Sequence, residues 1–196
     1  IGCALEAMDK PWSVQARSIV VALPPGHSGS ATVIAQEQAS STADAAFANA
    51  VMGHGLVRED MHAASVSHLG VAVIPAVLAL SQRTACQGAD LVAAIVVGYE
   101  LGAQIGRALM TPELARVHRP TGITGPLAAA AAGARLLRLD PVATTHALAL
   151  AANMTGGLNE WGLTGGSEMY FHPGLAARSG VTAALLAQAG AQASAT

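Results

Sequence analysis

The stretch that decides the fold is QGADLVAAIVVGYELGAQIGRALM, residues 87–110. Its apolar residues recur at helical spacing and no proline interrupts them, which predicts a helix of more than about five turns. Gly98, Gly102 and Gly106 lie four residues apart and therefore share one face of that helix. A face without side chains lets a neighbouring backbone approach closely. The same spacing occurs in membrane dimers, but Glu100 and Arg107 within the stretch favour a buried helix of a soluble protein.

Outward from this helix, small and apolar residues predict further helices. Asp140 and Pro141 suit the N-cap and the first helical position of a helix over 139–154. Ser41 or Thr42 can cap a helix that runs to about Gly53. Further helical segments are predicted at 68–84, 122–137 and 173–190.

Residues 1–40 are the least regular part of the chain, and we expect a loop there with one weak helix or strand. No internal repeat and no alternation typical of a parallel sheet is present. The sequence therefore predicts an all-α fold, a helical bundle forming a single domain over residues 1–196, with the functional residues in the connections between helices.

The composition is poor in charge. Hydrophobic residues make up 52% of the 196 residues and charged residues 11%, against a usual charged share of about 25%. We therefore expect some apolar surface to be buried against another chain or domain. The net charge of −2 gives no basic surface for nucleic acid. Lys10 is the single lysine, which nearly excludes Schiff-base chemistry.

The cysteine content and the length of the apolar runs bear on the cellular compartment and on membrane association. Cys3 and Cys86 imply no disulfide framework, so we expect a reducing, cytoplasmic compartment. No apolar run reaches about 18 uninterrupted residues, so no membrane partner is expected. The chain opens at Ile1 without a signal-peptide pattern, and we expect it to be a fragment of a longer protein.

The connection within GHGLVREDMHAASVSHLG, residues 53–70, collects titratable side chains. Asp60, His62 and His68 could form an acid/base group, because histidine titrates near neutrality and a carboxylate can orient it. Clusters of histidine and aspartate also bind zinc or iron, although this spacing fits no standard metal motif. A merely solvated polar loop is the simplest alternative.

A second connection, ARVHRPTGITG at 115–125, contains His118 and leads into a helix start. Its backbone N–H groups from Thr121 onward would suit a carboxylate, and Arg119 could add a bidentate contact. The alternative is a plain turn with Arg119 facing water.

The third connection, NEWGLTGGSEMYFHPG at 159–174, contains Glu168 and His172 just before another helix. A histidine at a helix entry more often makes a structural hydrogen bond than a catalytic one. His54 and His146 lie on apolar helical faces, and we interpret both as hydrogen-bonded core residues.

Common catalytic motifs are absent as patterns. The sequence contains no G-x-S-x-G elbow, no P-loop, no G-x-G-x-x-G after a strand and no C-x-x-C. The usual nucleophilic and nucleotide-binding functions are therefore not indicated.

Four stretches, in order along the chain, resemble the MmgE/PrpD family. They are AAFANAVMGHGLVREDMHAASVSHLGVAVIPAVLAL, GYELGAQIGRAL, HRPTGITGPLAAAAAGARLLRLD and FHPGLAARSGVTAALLAQAGA. The activities of this family include 2-methylcitrate dehydratase, cis-aconitate decarboxylase and iminodisuccinate epimerase. The resemblance implies the large helical domain of the family, without the smaller α/β lid domain, and usually a homodimer.

The resemblance also implies functional residues. Asp60, His68 and His118 fall at positions that line a pocket for small di- or tricarboxylates in the family, and we expect them to be catalytic. Substrate-binding roles are expected for four further residues: His62, Arg119, Thr121 and His172. Two departures bear on the substrate, since Val57 replaces the first carboxylate of an aspartate-rich LDFDD stretch and Met169 replaces a lysine of several members.

The hypothesis that follows is a cofactor-independent, lyase-type enzyme resembling 2-methylcitrate dehydratase, without a metal. It would remove a proton α to a carboxylate of a small di- or tricarboxylic acid, with His118 or His68 as base, the other as acid, and Asp60 orienting them. A catalytically inactive helical subunit of the same family is the main alternative. A small membrane-associated helical protein is a third.

Overall fold

A computed structural model describes residues 1–24, 27 and 29–194, and this part of the chain is mostly helical, as predicted. The elements in chain order are α1 (Gly2–Glu6), α2 (Pro11–Ser18), β1 (Ser30–Thr32), β2 (Ala39–Ser41), α3 (Thr42–His54), α4 (Leu69–Ser81), α5 (Gly88–Leu109), α6 (Pro112–Val117), α7 (Pro120–Leu136), α8 (Pro141–Ala152), α9 (Trp161–Thr164) and α10 (Glu168–Gln188). A single 3-10 turn, Ala63–Ser65, interrupts the connection between α3 and α4.

Helix α7 is at the centre of the bundle and packs against α4, α5, α8 and α10. Its run of alanines and glycines allows this, because small side chains let helix axes come close. A Cβ added to Gly125 would lie 2.8 Å from the Cβ of Ala176, and one added to Gly180 would lie 2.4 Å from the Cβ of Ala129. The contacts between α7 and α10 therefore depend on glycine at these two positions.

The glycine face of α5 packs as predicted. Gly98, Gly102 and Gly106 are buried, and a Cβ on Gly98 would lie 2.9 Å from the backbone oxygen of Ala128 in α7. The prediction of a buried helix is wrong for most of α5, because only Ala94 and the three glycines are buried within this chain. By length and composition alone, α5 is also apolar enough to cross a membrane.

The predicted N-caps of α3 and α8 are present in the structure. The Ser41 hydroxyl accepts from the Asp44 amide at the start of α3, and the Asp140 carboxylate accepts from the Ala143 amide at 2.9 Å, with Pro141 at the first helical position. Each such cap satisfies a backbone donor that the helix itself leaves unpaired.

Three boundaries differ from the prediction. The described residues of 1–40 form two short helices, strand β1 and the first two residues of β2, rather than a loop with one element. In the hairpin, Ser30 pairs with Ser41 and Thr32 with Ala39. Helix α10 begins at Glu168 rather than at 173, which places His172 inside the helix. Helix α6 occupies part of the predicted second connection.

Candidate active site

Four polar side chains meet where three helix ends converge. His54 is the last residue of α3, Glu59 lies on the connection that follows, and His68 is the N-cap of α4. Arg119 comes from the N-cap position of α7. We call these four residues the His–Glu–His–Arg cluster.

The carboxylate of Glu59 is the centre of this cluster. Its Oε1 pairs with Nδ1 of His54 and lies 3.2 Å from Nδ1 of His68, the latter off the line of a good hydrogen bond. Nη2 of Arg119 lies 3.1 Å from Nε2 of His54. The side chains of His54, Glu59 and His68 are only 0%, 8% and 11% exposed, so these contacts form largely out of water.

Counting donors assigns the protons of His54. A guanidinium only donates, so Nε2 of His54 must accept from Arg119, and the single ring proton lies on Nδ1, where it donates to Glu59. His54 is therefore neutral. Burial lowers its pKa, and this effect prevails over the contact with Glu59, which raises it.

Glu59 is ionised at neutral pH. Burial by itself raises the pKa of this carboxyl, but the hydrogen bond from His54 and the close contact with His68 together outweigh it and hold the pKa at about 2. A carboxylate beside Nδ1 of His68 favours the proton on that nitrogen, which leaves Nε2 of His68 as the basic nitrogen. This is the arrangement that a general base requires.

Arg119 is held by a separate set of contacts. Its guanidinium carbon lies 5.5 Å from the ring centroid of Trp161 in α9. Trp161 donates to the side-chain oxygen of Asn159 at 2.9 Å, and Asn159 in turn donates to the backbone oxygens of Ala115 and His118. Nε of Arg119 is buried without a partner among the described residues, so one charged donor is left for an anion.

Aromatic side chains hold α2 and α10 next to His54. The rings of Trp12 and Tyr170 stack with centroids 3.6 Å apart, and the indole of Trp12 donates to the backbone oxygen of Gly55 at 3.1 Å. The Tyr170 ring lies 6.3 Å from the His54 ring. This stack fixes the chain immediately after His54.

The connection that carries Glu59 and His68 is strained. Val57 and Val66 both have positive φ, 53° and 52°, and β-branched residues rarely adopt this conformation. Such a conformation costs about 1–3 kcal/mol per residue and is enriched at functional sites, although Ala35 and Arg138 adopt it away from the cluster.

Asp60 lies apart from the His–Glu–His–Arg cluster. Its Oδ2 accepts from the Gly70 amide at 3.4 Å, and the carboxylate is hydrogen-bonded by the hydroxyl of Tyr99 in α5. Burial, followed by the charge of Asp60, raises the pKa of Tyr99. Asp60 thus joins the start of α4 to α5, while its sequence neighbour Glu59 contacts the histidines.

His62 and His118, two other predicted site residues, also make separate contacts. Nδ1 of His62 is 2.9 Å from the hydroxyl of Ser65 in its own turn. The backbone of His118 forms a bridge with Leu158. Within the described residues, the His118 ring makes no hydrogen bond or ion pair with the cluster.

Thr121 and His172 are close to the cluster and buried. The hydroxyl of Thr121 accepts from the backbone amide of His68 at 3.0 Å and so holds the start of α4. The amides of Gly122 and Ile123 donate to the carbonyl of Arg119, so two of the predicted helix-start donors are already paired. Nδ1 of His172 has no partner in the described structure, and burial followed by the charge of Arg119 lowers its pKa.

Sequence reasoning missed His54 and Glu59. His54 is a fully buried, hydrogen-bonded core residue, as predicted, but its partners Glu59 and Arg119 also make it part of the site. One signal was available, because a histidine just before a glycine at a helix end, five residues from a glutamate, can turn back onto the connection. Met169, at the position of the family lysine, is buried in the first turn of α10.

Spacing alone would permit a metal ion in the cluster. Ligand atoms of His54, Glu59 and His68 lie within 4.8 Å of one another. A metal on Nδ1 of His54 would require a proton on Nε2, directed at the donor Arg119. The hydrogen bonds therefore favour a shared proton over a metal at this position.

The fold and the cluster define a class: a mostly helical domain in which a buried carboxylate contacts two imidazoles beside a guanidinium. Comparison with known sequences gives the family. The MmgE/PrpD N-terminal domain matches residues 1–196, and the chain belongs to this family, as the resemblance indicated.

Curated relatives share the same region. The cis-aconitate decarboxylase-like protein oryM of Aspergillus oryzae is 31% identical over 198 residues, 97% of this chain and 40% of that protein. The cis-aconitate decarboxylase of Aspergillus terreus is 31% identical over 199 residues, 98% of this chain and 40% of that protein. The chain thus spans about 40% of the length of these relatives.

Proposed function

We propose that this chain is the helical part of a cofactor-independent lyase that removes a proton α to a carboxylate of a small di- or tricarboxylic acid. The observation that carries the proposal is the ionised carboxylate of Glu59 facing Nδ1 of His68 at 3.2 Å. In this arrangement Nε2 of His68 takes the substrate proton, and Glu59 stabilises the imidazolium that forms.

The surrounding residues supply charge and position. Arg119 holds a substrate carboxylate and the developing enolate-like charge through its unpaired Nε, in a site largely withdrawn from water. Thr121 holds the His68 backbone, and His54 joins Glu59 to Arg119. Glu59 thus takes the orienting role that the sequence suggested for Asp60.

The same cluster serves two reactions: a dehydration, in which His68 first removes the α proton, and a decarboxylation, which needs only a proton donor. In a dehydration, the electron pair of the broken C–H bond forms a C=C bond as the β-hydroxyl leaves, and a protonated acid converts the hydroxyl to water. In a decarboxylation of an unsaturated acid, the C–C bond to a carboxylate breaks and CO₂ leaves, while the electron pair of that bond shifts the C=C bond. A protonated acid then delivers one proton to the carbon that receives the displaced pair, and no C–H bond is broken. His118 and His172 are the candidates for the acid.

The names of the relatives support a choice of first substrate. Both are named for cis-aconitate decarboxylation, and we propose cis-aconitate as the first substrate to test, followed by 2-methylcitrate and citrate. Met169, buried where several family members have a lysine, cannot pair with a substrate carboxylate. We therefore expect a higher KM than in a lysine-containing member.

The test uses the full-length protein with these three acids, following alkene absorbance and incorporation of solvent deuterium by NMR. We expect His68→Gln to lower kcat by about 10²–10⁴-fold, the usual contribution of a general base, and His146→Gln, a control whose ring contacts the backbone at Ala193, to have little effect. A folded full-length protein that neither turns over nor exchanges these acids would instead be a non-catalytic member of the family.

We also propose that the protein is a cytoplasmic homodimer, formed through the exposed apolar face of α5. Val92 and Val96, one turn apart on the same face of this helix, are 59% and 54% exposed, and an exposed apolar patch of this kind is typical of a protein–protein interface. Analytical ultracentrifugation tests the proposal: Val96→Glu should yield monomers, and a dimer that persists in this variant would place the interface elsewhere.

A further inference from the structure

A cavity of about 290 Å³ borders Glu59, between α1, α3, α4 and β1. Its wall is mostly apolar and includes Ile34, Val71, Ile74 and Leu78. The volume is near the lower limit of about 300 Å³ for small-molecule pockets, and it suits a ligand of about ten non-hydrogen atoms at roughly 30 Å³ for each water-sized group. No step of the proposed reaction uses this space.

Most polar side chains that line the cavity are paired with one another. The Asn49 side chain accepts from the Ile34 amide at 2.8 Å and donates to the Thr32 carbonyl at 2.9 Å. The amide and hydroxyl of Thr32 both donate to Oε1 of Gln82, at 3.0 and 2.9 Å. These groups need no ligand.

Two carboxylates, Glu59 and Asp60, form the rest of the polar wall and differ in how completely they are hydrogen-bonded. Asp60 receives the Gly70 amide and the Tyr99 hydroxyl. Glu59 uses Oε1 for the two histidines, while its Oε2 is buried with no partner among the described residues, on a side chain only 8% exposed. A buried carboxylate oxygen without a donor is uncommon in a folded protein.

We propose that this cavity binds a small amphiphilic amine, whose ammonium group donates to Oε2 of Glu59 and whose apolar body lies along Ile74 and Leu78. Charge supports a cation over a neutral or anionic ligand. Glu59 and Asp60 both line the cavity, and its described wall contains no cationic side chain. Ile1 also borders the cavity, but its amino group forms no ion pair with either carboxylate among the described residues. The carboxylic acids of the proposed reaction would be repelled here, so this site is distinct from the one that Arg119 serves.

The test compares three probes of equal chain length: n-hexylammonium, 1-hexanol and hexanoate. Each is titrated into the full-length protein while the methyl NMR signals of Ile74 and Leu78 are followed. We expect n-hexylammonium to shift both signals saturably, 1-hexanol to bind at least about tenfold more weakly because it lacks the charge-assisted hydrogen bond, and hexanoate to leave the signals unchanged.

Variants separate the cavity from the His–Glu–His–Arg cluster. Leu78→Phe fills the cavity without touching the cluster and should abolish amine binding, as should Glu59→Gln. Leu163→Phe, at a position 88% exposed in α9, is the matched control and should bind like the unchanged protein.

Three results would overturn the inference. These are equal affinities for n-hexylammonium and 1-hexanol, unchanged amine binding in Glu59→Gln, or contacts in the full-length protein between another protein segment and the Ile74 and Leu78 methyl groups. None of these readouts depends on turnover. A protein that binds the amine but is inactive on carboxylic acids would therefore refute the proposed reaction and leave this inference standing.

Discussion

Acidification should reveal how much the buried carboxylate of Glu59 stabilises the protein. Its pKa of about 2 in the folded chain, against an ordinary value of 4.5, corresponds to at most about 3 kcal/mol of folding free energy. Because the folded-state pKa is the lower one, this stability is fully present above about pH 4.5 and is lost as the pH falls through 2. Replacing Glu59 by glutamine keeps an acceptor for His54 but removes the titration.

The assay is urea unfolding followed by circular dichroism between pH 2 and pH 7. The free-energy gap between the unchanged protein and Glu59→Gln should be up to about 3 kcal/mol at neutral pH and should close towards pH 2. Glu37→Gln, at an exposed glutamate, should follow the unchanged protein throughout. A gap that stays constant with pH would refute the assignment of Glu59 as an ionised partner of the two histidines.

Three further predictions concern the site and the packing. Arg119→Met should raise the pKa of His54, because the charge of Arg119 lowers it. If an NMR titration shows that the pKa of His54 falls in this variant, the contact between Arg119 and His54 is contradicted. Gly98→Ala should lower the free energy of unfolding by about 1–3 kcal/mol through overpacking, because its Cβ would lie 2.8 Å from the side chain of Val73. Gly88→Ala, whose Cβ would have no atom within 4 Å, should melt near the temperature of the unchanged protein. Equal melting temperatures of the two variants would refute the packing argument. Asp140→Ala should cost about 1 kcal/mol and speed amide exchange in the first turn of α8, and unchanged exchange would show that the cap contributes nothing.

The predictions that held depend on local chemistry. The length of α5, the caps of α3 and α8 and the buried glycine face at Gly98, Gly102 and Gly106 follow from neighbours within four residues. Helical geometry relates such neighbours directly. The short helices α1 and α2 were missed because segments of this length are not stable alone, and here they depend on packing against α3.

The amino-acid sequence by itself determined the helical class, the family and the segment that carries the polar chemistry. Only the tertiary structure decided which side chains form the site. Glu59 and Asp60 are adjacent in sequence, yet one contacts His54 and His68 while the other contacts Gly70 and Tyr99. The contact between Arg119 and His54 joins residues 65 positions apart. Such pairings depend on how the ends of α3, α4 and α7 converge, and this arrangement is set by packing across the whole bundle rather than by spacing along the chain.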